Sequence, residues 1–100
     1  IDPEPLLPAS CILHQNFPNP FNPRTSINFS LAEKGRVKVS VYDVDGRLVR
    51  VLVDDVREAG PHTVTWNGRN DAGQALASGV YFLRYRCGTD TFTKKAALLR

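Results

Sequence analysis

The fold is decided by one stretch of the chain, residues 36–53, which reads RVKVSVYDVDGRLVRVLV. Valines occupy every second position from 37 to 41, so a strand here has one apolar face and one polar face. Asp45-Gly46 predicts a hairpin turn, because glycine reaches positive φ without a Cβ penalty. The return run, residues 48–53, is almost continuously apolar and predicts a strand that is covered on both faces.

Strand patterns recur on both sides of this hairpin. Alternation predicts strands at residues 25–31, 62–66 and 80–87, and a last strand at about 91–99 whose inward face is ambiguous. The charged residues 54–61, ending in Gly60-Pro61, predict a connection. The predicted core consists of Val37, Val39, Val41, Val64, Trp66, Tyr81, Leu83 and Tyr85.

No segment has the apolar period and caps of a helix. The pattern therefore predicts an all-β protein, an antiparallel β-sandwich of six to seven strands. A seventh strand would lie near the N-terminal arm or at residues 75–78.

Prolines set the N-terminal region apart from the strands. Residues 16–23, NFPNPFNP, exclude both a helix and a central strand, because proline lacks an N–H donor. Phe17 and Phe21 are the only large apolar side chains there. We therefore expect an ordered arm along a sheet edge, with at least one ring buried. Residues 1–12 are expected to be a linker or N-terminal arm, and residues 13–100 the folded domain.

The composition excludes several classes of protein. The chain has 100 residues, 42% of them hydrophobic, and a formal net charge of +3, which is typical of one globular domain. Its basic residues are dispersed, so we expect no nucleic-acid partner. No apolar run is long enough for membrane insertion. The chain begins at Ile1 and contains no methionine, so we expect it to be a piece of a longer protein.

The two cysteines leave two alternatives open. Cys11 and Cys87 are compatible with one disulfide that pins the N-terminal arm to a late strand. They are also compatible with two unpaired thiols, one of which would be a small apolar strand residue. A disulfide would fit an oxidising compartment.

The sequence offers no convincing reaction centre. His14 and His62 are isolated, and a triad of Ser78, His62 and Asp71 lacks any nucleophile motif. We therefore expect no enzymatic activity, no catalytic residue, no metal site and no cofactor.

Two loops and one set of aromatic residues have weaker alternatives. Asp43 and Asp45 begin like a calcium loop, but they are better explained as turn formers, and Asn67, Asn70 and Asp71 form a second such loop. A sugar-stacking platform would be built from Tyr42, Trp66 and Phe82, although the pattern places Trp66 inside the core.

Four pieces of the sequence, taken in order, resemble a known family. They are NFPNPFNP followed by a Thr-x-Ile-x-Phe strand, VYDVDGRLVRVL, AGPHTVTWNGRNDAGQALASGVYF and a terminal KKAALLR. Together they cover about residues 13–100. The combination resembles the FlgD Ig-like domain, in the form found as the C-terminal sorting domain of the type IX secretion system (Por system). The cysteines have no counterpart in that pattern.

The resemblance implies an immunoglobulin-like sandwich at the C-terminus of a larger secreted bacterial protein. It implies partners in the outer-membrane secretion machinery and upstream domains of the parent protein. It also implies a location outside the cell or on the outer-membrane surface, reached through the periplasm. The positions implied in recognition are Pro18, Asn19, Pro20, Gly79, Tyr81, Lys94, Lys95, Leu98, Leu99 and Arg100.

We hypothesise that recognition uses the open edge of the last strand, by strand addition. Two alternatives to the sorting function are a structural Ig-like spacer or interaction module and a carbohydrate-binding accessory domain of a secreted hydrolase.

Overall fold

The computed structural model describes residues 11–100, which form two antiparallel sheets and no helix. The strands are β1 (Ile12–Leu13), β2 (Thr25–Leu31), β3 (Gly35–Tyr42), β4 (Leu48–Arg57), β5 (Gly60–Trp66), β6 (Gly79–Cys87) and β7 (Asp90–Leu98). One sheet has the order β1-β2-β5, and the other has the order β4-β3-β6-β7. The predicted sandwich is confirmed, and the seventh strand is β1. Residues 1–10, where most of the expected linker falls, lie outside the described residues.

The central hairpin forms at the predicted turn. Gly46 has φ 85° and its N–H donates to the carbonyl of Asp43 at 3.0 Å. The carboxylate of Asp43 accepts the N–H groups of Asp45 (2.9 Å) and Arg47 (3.0 Å), which is the turn-forming role expected of it.

The prediction that the return strand is covered on both faces is wrong. β4 is an edge strand, and its residues from Val49 to Leu52 are only half-buried. Within residues 11–100 no further layer covers the outer face of this sheet, so a continuous apolar run here does not indicate burial on two sides. The register between β3 and β4 also shifts twice, after Val39 and after Val41, which is typical of an edge strand.

The predicted connection at residues 54–61 is also wrong. β4 continues to Arg57, and β5 begins at Gly60, so only two residues join them. Charged side chains do not stop β4, because an edge strand with one exposed face accommodates them. Pro61 lies within β5, which is an edge strand of the three-stranded sheet, where a missing N–H donor is tolerated.

Aromatic side chains fill the space between the sheets. Trp66 is fully buried, with the Phe21 ring centroid at 5.3 Å and the Tyr81 centroid at 5.5 Å. The indole N–H donates to the carbonyl of Arg69 at 3.0 Å, so this buried donor is satisfied. Tyr85 packs against Phe29, with centroids 4.9 Å apart. A sugar platform that includes Trp66 is therefore excluded.

The predicted core is confirmed, with one residue less buried than expected. The valines at positions 37, 39 and 41, Leu83 and the two tyrosines of β6 are buried, whereas Val64 packs against the core but is only half-buried. β5 lies at a sheet edge, which leaves one flank of Val64 open.

A disulfide joins Cys11 to Cys87, with Cα atoms 6.5 Å apart. It connects the chain just before β1 to the end of β6, and thus links the two sheets covalently. The pairing spans 76 residues of sequence, and a disulfide of this kind typically stabilises a protein by about 2–4 kcal/mol, mainly by restricting the unfolded chain.

Candidate functional site

The proline-rich arm, residues 15–21, lies along the outer edge of β7. The N–H of Phe21 donates to the carbonyl of Ala97 at 2.9 Å, and the N–H of Leu99 donates to the carbonyl of Phe21 at 2.9 Å. Phe21 thereby forms a parallel bridge with Leu98. We call this contact between residues 15–21 and residues 95–99 the arm–β7 seam.

Side-chain amides supply the hydrogen bonds that the prolines of the arm cannot. Asn19 Oδ1 accepts the N–H of Ala97 at 2.9 Å, and Gln15 Nε2 donates to the carbonyl of Lys95 at 2.6 Å. Because Pro18 and Pro20 have no N–H, an unbroken main-chain ladder is impossible here. The amide side chains take the places of main-chain groups and hold the arm against the strand.

The arm is held equally well on its other side, by β2. The N–H and C=O of Phe17 exchange hydrogen bonds with Ser26 at 3.0 and 2.9 Å. Asn16, which is 2% exposed, donates through Nδ2 to the hydroxyl of Thr25 at 2.9 Å. Since β2 belongs to one sheet and β7 to the other, the arm closes one side of the sandwich by bridging the two.

The two phenylalanines of the arm have opposite environments. Phe21 is 1% exposed and packs on Trp66, whereas Phe17 is 76% exposed although its backbone is fixed. The prediction of an ordered edge arm with at least one buried ring is confirmed.

Arg100 closes the end of the sandwich beside the seam. Its N–H donates to Ser78 Oγ at 2.8 Å, and its guanidinium donates to the carbonyls of Gly68 (2.7 Å) and Leu76. Gly68 has φ 72°, and a Cβ at that position would lie 3.0 Å from the guanidinium nitrogen Nη2. Glycine at 68 is thus what allows the side chain of Arg100 to approach the loop.

The third motif, around Gly79, pairs with the same part of β7. Gly79 is opposite Leu98 and Tyr81 is opposite Ala96. The hydroxyl of Tyr81 donates to the carbonyl of Ala77 at 2.7 Å. Burial raises the pKa of Tyr81, the carboxylate of Asp43 raises it further, and Arg100 opposes this shift.

The structure brings the three groups of positions implied in recognition, around Asn19, around Gly79 and at the chain end from Lys94, to one side of the sandwich. Their exposed members are Pro18, Asn19, Pro20, Gly79, Lys95, Leu99 and Arg100. Lys94 is half-buried, and Tyr81 and Leu98 are buried, so these last two support the surface from below. Sequence reasoning missed Gln15 and Asn16. For Asn16 the available signal was an amide side chain next to the Phe17-Pro18 step, and for Gln15 the sequence offers no such signal.

The hypothesis of an open edge on β7 needs correction. From Lys95 onward the outward main-chain groups of β7 bond to the arm, so strand addition there would first have to displace it. The outward main-chain groups that do not bond to the arm lie before Lys95, at Thr93 and earlier in the strand.

The side chains of the triad Ser78, His62 and Asp71 and of the loop around Asn70 have structural partners. Ser78 accepts from Arg100, His62 Nε2 lies 2.8 Å from the carbonyl of Glu58, and Asp71 accepts the N–H of Val51. Asn70 Oδ1 accepts two N–H groups of its own loop, from Ala72 and Gln74. Within residues 11–100, no three His, Cys, Asp or Glu side chains are grouped as metal ligands would be. The same residues contain no helix with the length and hydropathy of a membrane span.

Comparison with known families explains the sandwich. The family model of the FlgD Ig-like domain matches residues 21–85. The chain belongs to this family. It is 39% identical over 46 residues to the basal-body rod modification protein FlgD of Salmonella typhimurium and to that of Salmonella typhi. The match covers 46% of this chain and only 20% of those relatives, so the chain corresponds to a fifth of their length.

Two solved structures have the same fold. One is dimeric latent PorU from Porphyromonas gingivalis, with a TM-score of 0.71 and 20% identity over 91% of this chain. The other is PorZ from the same organism, described as an essential bacterial surface component of the type IX secretion system, with a TM-score of 0.58 and 23% identity over 90% of this chain. The match takes up 10% of the PorU chain and 11% of the PorZ chain.

Proposed function

We propose that this FlgD Ig-like domain is a non-catalytic C-terminal sorting domain of a larger secreted bacterial protein, recognised by the type IX secretion machinery. The observation that carries the proposal is the arm–β7 seam. It joins the segment around Asn19 to the chain end around Lys95, which are 76 residues apart in sequence, into one surface. These are the pieces by which the sequence resembles the sorting form, and both lie outside residues 21–85.

The context of similar folds supports the same proposal. In PorU and PorZ a sandwich of this kind is a small fraction of a long chain, and PorZ is a surface component of the type IX secretion system. By analogy, this domain would be exported with its upstream domains, pass through the periplasm, and reach the medium or the outer-membrane surface.

A sorting signal has a physical requirement that this domain meets. Machinery that exports many cargoes needs a signal whose shape does not depend on the cargo fold. The exposed seam is fixed by hydrogen bonds to both sheets of its own sandwich and by Arg100, and none of these contacts involves residues upstream of the arm. Its geometry is therefore set within the domain itself.

The test is an export assay with a reporter protein fused upstream of this chain, in a bacterium that has a type IX system. We expect the reporter in the medium or on the cell surface, and in the periplasm when the translocon gene is deleted. Removal of residues 99–100 keeps all of β7 and removes the exposed end, and Lys95→Glu reverses one exposed charge of the seam. Both variants should retain the reporter in the periplasm.

The matched control is Lys34→Glu, an exposed lysine in the turn at the opposite end of the sandwich, which should be exported normally. Thermal denaturation of each purified domain establishes that it is folded. Export that continues without the translocon, or that is lost only in unfolded variants, would contradict the sorting function and favour a spacer module.

A further inference from the structure

The outer face of the four-stranded sheet has a composition that the fold does not require. Its centre is built from cross-strand pairs of β3 and β6, and β7 adds the next column of side chains. Six side chains on this surface form what we call the basic face: Lys38, Tyr42, Phe82, Arg84, Arg86 and Lys95. The face therefore presents four cations beside two half-buried aromatic rings.

Two of these cations are direct neighbours. Lys38 lies opposite Arg86 in the register, and like charges in directly opposed positions destabilise a sheet. The nearest carboxylate across from Lys38 is Asp54, which already forms an ion pair with Arg36 at 3.0 Å. In the part of the chain that the structure describes, the cations in ion pairs are Lys34, Arg36, Arg47, Arg50 and Arg57. None of them belongs to the basic face.

Among residues 11–100, Arg84 is held in position by an aromatic ring and not by a carboxylate. Its guanidinium carbon lies 4.7 Å from the ring centroid of Tyr42, and Nη1 lies 3.5 Å from the tyrosine hydroxyl. A guanidinium on an aromatic ring keeps its remaining N–H groups available for a planar anion such as a carboxylate.

Two shallow depressions lie on this face. One, of about 330 Å³, is lined by Tyr42, Phe82, Arg84 and Thr93, and at the neighbouring turn by Asp43, Val44 and Gly46. The other, of about 490 Å³, is lined by Arg36, Lys38 and Arg86 together with Asp54. Apolar surface thus lies at one end of the face and positive charge at the other.

The spacing of the cations suits an extended polypeptide. β3 and β6 are interior strands, so their main-chain groups are already paired and a ligand must contact side chains. Along β6, Phe82, Arg84 and Arg86 project at every second residue, about 7 Å apart. An extended peptide has the same repeat, so its alternate side chains align with this row.

We infer that the basic face binds an acidic polypeptide segment. Two carboxylates at alternate positions of the segment would meet Arg84 and Arg86, and an apolar side chain two residues further on would lie against Phe82. Charge complementarity is the main argument, and the combination of arginine with aromatic residues is typical of protein interfaces. The inference does not depend on the sorting function. Lys95 belongs to both the basic face and the seam, so the binding test changes only Arg84 and Arg86, which lie outside the seam.

The test uses the folded domain and a labelled synthetic 12-residue peptide with glutamate at alternate positions, measured by fluorescence anisotropy at low ionic strength. We expect saturable binding that is about tenfold weaker when glutamine replaces every glutamate, and that weakens with added salt. The Arg84→Glu/Arg86→Glu variant should lose at least about tenfold in affinity, and the milder Arg84→Gln/Arg86→Gln variant should lose less.

The matched control is Arg24→Glu/Lys34→Glu, which makes the same change in net charge at exposed residues outside the basic face. It should stay within about twofold of the parent domain. Equal loss in this control, no binding of the glutamate peptide, or tighter binding of duplex DNA or a heparin fragment at matched total charge would overturn the inference. Thermal denaturation of each variant verifies that it is folded.

Discussion

The N-terminal part of this domain is tied to the four-stranded sheet in two chemically different ways. At one point the Cys11–Cys87 disulfide makes the connection covalently, and a few residues later the arm–β7 seam makes it with hydrogen bonds and the ring of Phe21. A disulfide stabilises mainly by restricting the unfolded chain, whereas the seam exists only in the folded state. Comparing the two connections distinguishes the contribution of the disulfide to stability from the contribution of the hydrogen bonds and Phe21 to the shape of the seam.

The largest expected effect comes from the apolar part of the seam. Phe21→Ala should lower the free energy of unfolding by about 3–5 kcal/mol, because it leaves a cavity beside Trp66 that the rigid sandwich cannot fill. Chemical denaturation measures this change. Phe17→Ala is the control within the same arm, and because Phe17 is 76% exposed we expect a change below about 0.5 kcal/mol. Similar losses in the two variants would mean that Phe21 does not anchor the arm.

Removal of the disulfide should come next in size. Cys11→Ala/Cys87→Ala is expected to lower stability by about 2–4 kcal/mol, through the entropy of the closed 76-residue loop. The seam should remain, because its hydrogen bonds lie within the folded state. Amide exchange at Ala97 and Leu99 checks this point, since both N–H groups donate to the arm. Fast exchange at both amides in the disulfide-free but folded domain would show that the covalent link positions the seam.

A smaller effect is the pH dependence of stability that arises from Tyr85, which lies in the core between the two sheets. Burial raises the pKa of Tyr85 to about 12, above its ordinary value near 10. A group with a raised pKa in the folded state contributes stability that is present below pH 10 and is lost as the pH rises towards 12. Stability should therefore fall over this range, by at most about 1.4 kcal/mol per pH unit for this one group.

The variant Tyr85→Phe isolates this effect from the titration of lysines. It lacks the hydroxyl that donates to the carbonyl of Ser30 at 2.9 Å, so it should be less stable at pH 8 but show a flatter decline above pH 10. Urea denaturation at several pH values measures the free energy of unfolding of both proteins. If it declines in parallel in the two above pH 10, Tyr85 is excluded as the titrating group.

The two connections also differ in how far sequence predicts them. Alternation over β2, β3 and β6 predicted these strands and their buried faces, because a two-residue period depends only on neighbouring positions. The same reasoning failed for β4, where an apolar run at a sheet edge looks like a buried strand. The sequence was compatible with the disulfide but gave no reason to prefer it over two free thiols.

The seam was only partly predictable. The prolines predicted an edge arm with a buried ring, and the resemblance pointed to Asn19 and Lys95. The hydrogen bonds of Gln15 and Asn19 to β7 span 80 and 78 residues, so no local pattern reveals them. They depend on how the two sheets stack, which is a property of the whole sandwich.

The smallest stability effect tests this polar part of the seam directly. Asn19→Ala removes the acceptor of the Ala97 N–H and should lower stability by about 1 kcal/mol, because water can replace part of the interaction at an exposed edge. Asn22→Ala, at an exposed position that also precedes a proline, should change stability by less than about 0.5 kcal/mol.

Hydrogen exchange sharpens this last comparison, because it reads the seam bond by bond. In Asn19→Ala the amide of Ala97 should exchange faster, while that of Leu99 stays protected by the carbonyl of Phe21. In Asn19→Asp the acceptor oxygen is kept, so protection of Ala97 should persist even though the donor to the Lys95 carbonyl is lost. If Ala97 is equally protected in Asn19→Ala, the side chain of Asn19 does not hold the arm against β7, and it does not shape the surface on which the sorting proposal depends.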